Sequence, residues 1–374
     1  AACGGGGGIG GTGSAGNLGT INVSLTDAPS CGYDAVNVTV QKVRVHMSAS
    51  AADSDDGWSE VNLGAGKRVD LLSLTNGVLE NLGQTALPAG KYTQMRLVLA
   101  ENGGAAPFAN SVVPTGGVET ALDTPSATQS GLKMNVDIDV AADKIADVVI
   151  DFDACKSVVK RGNSGRFNLK PVLSVTPVLS DAGLRVVGYV DPSIAVASTK
   201  VSVQSAGVPV KATVPDANGK FVLYPVPVGS YDLVVSASGH VTAVMTGVPV
   251  TTTSFTNVNS AAVPIAPASA TTRNVAGTVT PAAATVRALQ TFSGGPTIEV
   301  AWAAVDATTG AFSFALPIEA PVKTAYVASP VSLSFVADSS AAGKYTVAAS
   351  SAGVVKTQTI DVSAAVPPLS FSFP

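Results

Sequence analysis

Apolar and polar residues alternate with period two along much of the chain, the spacing of strands that bury one face. Ile21, Val23 and Leu25 form one such row, and Val36, Val38 and Val40 form a second that Val43 and Val45 continue. Met95, Leu97 and Leu99 make another, and the same beat returns over 136–140 and 148–152. One short helix is predicted over 70–82 (DLLSLTNGVLENL), where leucines recur at helical spacing around Gly77. Residues 1–18 (AACGGGGGIGGTGSAGNL) offer too little apolar surface for a core and read as a Gly-rich tail. A first domain is placed at 19–178, with Pro171 and Pro177 bracketing its last strand.

After residue 180 a different module begins, and it occurs twice. Val187-Gly188-Tyr189-Val190-Asp191-Pro192 aligns with Ala276-Gly277-Thr278-Val279-Thr280-Pro281, and Asp216 to Phe221 aligns with Thr308 to Phe312. Gly229-Ser230-Tyr231 aligns with Gly343-Lys344-Tyr345. The offset between the copies grows along the chain, which places an insertion in the second copy around 319–330. The copies are assigned to 184–264 and 272–374, joined by a linker at 264–270 (PIAPASA). Asn218-Gly219 predicts a type I′ hairpin turn. Repeated modules of short strands and tight turns are the mark of sandwiches. The predicted fold class is all-β, tandem β-sandwich domains behind a Gly-rich N-terminal tail.

The first domain resembles the exported bacterial family known as domain of unknown function 4382. The resemblance is carried by Gly19 to Pro29 (GTINVSLTDAP), Tyr33 to Val40 (YDAVNVTV), Arg68 to Leu72 (RVDLL) and Leu87 to Tyr92 (LPAGKY). It implies a surface location and a β-sandwich, and brings no activity with it. The repeated modules resemble the carboxypeptidase-regulatory, or transthyretin-like, sandwich through Gly-x-Val, Asn218-Gly219-Lys220-Phe221 and Pro227 to Tyr231. That resemblance implies stalk or display duty. The opening Ala1-Ala2-Cys3 before five glycines is similar to the mature end of bacterial lipoproteins, which implies a lipid on Cys3. Two residues precede Cys3, so a free thiol or an intermolecular bridge stays open as its fate.

Composition narrows the partners. A net charge of −4 and 13% charged residues supply no basic patch for a phosphate backbone, so nucleic acid is not expected. No apolar run is long enough to cross a bilayer as a helix, and a membrane is reached only through a lipid on Cys3. Three cysteines are present, and in an exported chain Cys31 and Cys155 are expected to form a disulfide. The spacing offers neither CxxC nor neighbouring histidines for a metal centre built on cysteine.

Candidate chemistry is sparse. His46 and His240 fall in different predicted domains, so neither has an evident nucleophile to activate. Asp137 and Asp139 share a strand face, and so do Asp151 and Asp153. If those strands pair, four oxygen ligands converge and suit calcium, the one cofactor worth weighing, against the alternative of a solvated face. Asp53 to Asp56 is a weaker loop candidate. A carbohydrate cleft would want more stacking aromatics than Trp58 and Trp302. The expected function is a non-enzymatic extracellular structural protein, secreted or held at the cell surface (outer membrane) of a Gram-negative bacterium. Its partners are copies of itself, joined into a filament by strand donation, with Ile9 and Leu18 filling pockets in a neighbour. Leu369 to Phe373 is a second strand able to pair at an edge. The alternative is a monomeric lipoprotein anchored at Cys3, with an adhesive or carbohydrate-binding role.

Overall fold

The computed structural model describes residues 17–27, 32–179, 182–195 and 198–374. Strands dominate it, in separate sheets stacked as sandwiches. The first stretch contributes β1 (Leu18–Asp27), β2 (Tyr33–His46), β3 (Ser59–Asp70), β4 (Glu80–Pro88), β5 (Gly90–Leu99) and β6 (Ser111–Pro114). It continues with β7 (Thr120–Asp123), β8 (Leu132–Val140), β9 (Ile145–Phe152), β10 (Val158–Lys160), β11 (Phe167–Leu169) and β12 (Leu173–Val178). Short helices α1 (Pro125–Gln129) and α2 (Ala154–Ser157) precede β8 and follow β9. One sheet has the order β12-β9-β1-β4, and the other runs β10-β11-β7-β6-β2-β5-β8 with β3 also on β2.

The predicted valine rows face the core between these sheets. In β2 they change from even to odd numbers because the register shifts between Val40 and Lys42. A bulge there lets Val40 and Val43 both point inward. Pro177 lies in β12, an edge strand, where a missing N–H costs no ladder bond. The helix expected over 70–82 is not formed. A single 3-10 turn spans Leu71–Leu74, capped by Asp70, and Asn76 and Gly77 then take positive φ of 58° and 80°. The chain turns there into β4, so the leucine spacing reflects two inward residues of a tight turn, Leu71 and Leu74.

The repeat is exact at the level of topology. The first copy holds β13 (Val186–Tyr189), β14 (Lys200–Ser205), β15 (Val208–Thr213), β16 (Lys220–Leu223), β17 (Gly229–Ser236), β18 (Ala243–Val250) and β19 (Thr256–Asn257). The second holds β20 (Thr272–Thr280), β21 (Thr285–Thr291), β22 (Thr297–Ala303) and β23 (Ala311–Pro317) before the inserted β24 (Val322–Ala325) and β25 (Val336–Ala337). It closes with β26 (Lys344–Ser351), β27 (Val354–Asp361) and β28 (Leu369–Ser372). Sheets β16-β13-β19 and β15-β14-β17-β18 match β23-β20-β28 and β22-β21-β26-β27 strand for strand.

The repeated glycines have a steric cause. A Cβ on Gly188 would meet the Phe221 ring at 2.4 Å, and one on Gly277 the Phe312 ring at 2.6 Å. Gly219 and Gly310 sit with φ of 80° and 69°, and a Cβ there would reach the carbonyl oxygens of Val190 and Val279 at 2.0 and 2.1 Å. The expected type I′ hairpin is not what Asn218-Gly219 forms. Of the two residues only Gly219 has positive φ, and the turn carries the chain from β15 in one sheet to β16 in the other. Asp216 holds it, its side chain accepting from the N–H of Asn218 and Lys220 at 2.9 and 3.0 Å.

One device recurs in all three sandwiches. Tyr92, Tyr231 and Tyr345 each follow Gly-x near a strand start and donate a hydroxyl hydrogen bond to a proline carbonyl, Pro88, Pro227 and Pro317, at 2.9, 2.9 and 2.7 Å. Such a corner pins the strand entry while the ring stays in the core.

The insertion does not stay with its own copy. β24 leaves the third sandwich and pairs in parallel with β18, adding an edge to the second sandwich's larger sheet, and β25 pairs with β24. Val322, Tyr326, Leu333 and Phe335 pack against the second core. Val234 and Val244 from the second sandwich close a small apolar cluster with Phe292 and Ile298 of the third.

Candidate functional site

The four carboxylates proposed for calcium are not brought together. β8 and β9 belong to different sheets, so Asp137 and Asp139 never face Asp151 and Asp153 across a ladder. Asp137 and Asp139 are exposed, and Lys91 pairs with Asp137 at 2.8 Å. Asp151 pairs with Lys211 at 2.8 Å, and Asp153 caps α2 by accepting from the Lys156 N–H at 3.0 Å. No group of three or more His, Cys, Asp or Glu side chains suited to a metal occurs among the described residues. The Asp53 to Asp56 loop is likewise committed elsewhere. Asp53 pairs with Arg44 and Arg96, and Asp55 accepts the Ala52 N–H at 2.8 Å.

The histidines are tied to backbone. His46 Nδ1 accepts from the Ser48 N–H at 2.8 Å, its Nε2 lies 3.0 Å from the Asp56 carbonyl, and Trp58 packs beside it. His240 Nδ1 lies 2.9 Å from the Ser238 carbonyl. Cys155, in α2, is disulfide-bonded. Cys31, Cys3 and Ile9 lie outside the described residues. Leu18 is not a tail residue but the first position of β1, paired with Pro88 and half exposed. The C-terminal strand is already employed at home: β28 pairs in parallel with β20 and buries Leu369 and Phe371 in the third core.

What the fold does assemble is a junction where all three sandwiches meet. Its centre is Glu299 on β22, whose side chain is 1% exposed. One cation from each sandwich surrounds it: Lys156 from α2 at 3.9 Å, Lys200 from β14 at 3.7 Å and Arg287 from β21 at 3.3 Å. The Gln204 amide on β14 adds a reciprocal pair, accepting the Glu299 N–H at 2.7 Å and donating to its carbonyl at 2.8 Å. A carboxylate this deeply buried is tolerated only with charge partners at hand. Burial holds the Lys200 ammonium below its ordinary range, and the charge of Lys156 adds to that while Glu299 opposes it.

Further links tie the sandwiches in pairs. Asn76 joins the first to the second, donating its N–H to the Thr213 hydroxyl at 2.7 Å and accepting from the Val222 N–H at 2.6 Å. Asp306 joins the first to the third by accepting the Gly162 N–H at 2.8 Å. Beside Glu299 a cavity of about 380 Å³ opens between the three units, walled by Tyr33, Lys156, Lys200, His240 and Trp302 among others. Sequence reasoning missed this junction. Its one signal was Glu299 itself, a charge at an inward position of the strand TIEVAWA.

The fold and junction define a tandem β-sandwich protein with a charged interdomain core. Residues 18–171 match the family model of a domain of unknown function, DUF4382. No curated protein matches the sequence. Among solved structures, the chain is similar to a type II cohesin–X-dockerin complex from Acetivibrio cellulolyticus at 22% identity and a TM-score of 0.20. That match covers 24% of this chain and 59% of the other, so this chain spans less than two thirds of that one. It is also similar to a streptococcal ancillary pilin at 8% identity and a TM-score of 0.17, covering 95% of this chain and 98% of the other. Scores this low assign no function.

Proposed function

We propose that this protein is a non-enzymatic structural protein of the bacterial exterior, and that its two repeated modules are carboxypeptidase-regulatory-like spacers. The observation that carries the reading is the junction. Three sandwiches share one buried carboxylate, and one of them donates a strand to another. Such a body resists bending between its units, which suits load or display. The tying of both histidines to backbone supports the same reading. The disulfide at Cys155, with Cys31 as the proposed partner, fits an oxidising compartment.

Assembly is proposed to use residues 1–16 as the donor strand. The repeat itself suggests where such a strand would land. β27 holds in the third sandwich the place that β18 holds in the second, yet β18 has its edge filled by β24 while, among the described residues, β27 ends its sheet. Val354 and Val355 on β27 are 45% and 60% exposed, and an open edge of this length invites pairing. Removing residues 1–16 should leave a folded, soluble monomer, as judged by light scattering and electron microscopy beside the full chain. A truncated protein that assembles like the full chain would contradict strand donation. Acyl chains on Cys3, seen by mass spectrometry, would then favour the lipoprotein alternative.

A further inference from the structure

The cavity at the junction has the chemistry of a binding site and not of a packing gap. Its volume, about 380 Å³, suits a small organic molecule. One part of the wall is apolar, including Val158, Val300 and Leu316. The polar part is rich in donors. Neither the Tyr33 hydroxyl nor the Trp302 indole N–H is hydrogen-bonded to another described residue. Lys156 and Lys200 stand 3.9 and 3.7 Å from Glu299 Oε1, beyond hydrogen-bonding distance, and that oxygen accepts no hydrogen bond from the described residues.

Charge points the same way. The cluster sets three cations, Lys156, Lys200 and Arg287, against two carboxylates, Asp153 and Glu299. One positive charge is left over in a partly desolvated place, where burial and Lys156 work against the Lys200 ammonium and a bound anion would favour it. Burial pushes the Tyr33 hydroxyl up to about 12, so it remains a donor at neutral pH. A neutral ligand would leave the lysines unmatched, and a cation would meet repulsion. An anion lacking an apolar body would leave the Val300 and Leu316 wall in contact with water.

We propose that this junction cavity binds a small organic anion with an apolar or aromatic body, its charge against Lys156 and Lys200 and its body against Trp302. Because walls from all three sandwiches contribute, the bound anion acts as a further fastener between them.

The probe is 2-naphthoate, titrated into the full chain by calorimetry, with 2-naphthalenemethanol as the uncharged ligand of the same ring. The expected result is saturable one-to-one binding of the carboxylate with a Kd below about 1 mM, and binding of the alcohol at least about tenfold weaker. Trp58→Phe leaves Trp302 as the sole indole, and its fluorescence should change with the same midpoint. Lys200→Met should weaken the carboxylate about tenfold. If that variant does not fold, the comparison of the two probes on the unaltered chain decides alone. Absence of saturable binding, equal affinity for acid and alcohol, or an unresponsive Trp302 would each overturn the assignment.

Discussion

Replacing Glu299 with leucine is expected to lower the stability of the chain by about 3–5 kcal/mol, the cost of removing one partner from a buried ionic cluster. The substitution leaves Lys156, Lys200 and Arg287 gathered round an apolar side chain, with no opposite charge at the centre. Like-charge repulsion then acts between groups that come from three different sandwiches, so the loss appears at their junction and not within one core. Lys156→Met should cost much less, because Glu299 keeps two cations. Urea unfolding followed by tryptophan fluorescence reads both variants, since Trp302 lies on the same strand as Glu299. A loss below about 1 kcal/mol for Glu299→Leu would mean that the cluster is a surface-like ion pair with little energetic weight.

Excising 319–341 in favour of a short turn should destabilise the second sandwich although no residue of 184–264 is altered. The excision removes β24 and β25 and with them Val322, Tyr326, Leu333 and Phe335 from the second core. Partial burial of four large side chains is worth roughly 4–6 kcal/mol by area. It also uncovers backbone on and just before β18 that is now paired, where the N–H groups of Val322 and Tyr326 donate to Thr242 and Thr246 carbonyls at 2.9 Å each. Hydrogen exchange should show β18 amides losing protection in the excised protein. Unchanged protection across Ala243–Val250 would contradict a structural role for the crossing strand.

The strands were legible because burial imposes period two, and Ile21, Val23 and Leu25 obey it without interruption. The repeat was legible for a steric reason: Gly188 and Gly277 lie under aromatic rings, and Gly219 and Gly310 against backbone carbonyls, so no other residue fits. The false helix over 70–82 shows the limit of spacing alone. A 3-10 turn with two buried leucines produces the same local pattern as an amphipathic helix. The calcium hypothesis failed on topology. Alternation places Asp137 and Asp139 on one face of β8, but it is silent on which sheet β8 joins. The insertion around 319–330 was visible as a gap in the repeat, while its destination on β18 was not, because parallel pairing across modules leaves no local mark. The junction was hidden for the same reason: Lys156, Lys200, Arg287 and Glu299 are scattered along the chain and become a cluster only when three sheets are placed side by side.

Scanning calorimetry of the full chain puts the proposal of a single structural body to its most direct test. A shared strand and a shared buried carboxylate couple the second and third sandwiches, so their unfolding should fall in one transition whose calorimetric and van 't Hoff enthalpies agree. Two separate transitions, with the second sandwich melting while the third stays folded, would contradict it.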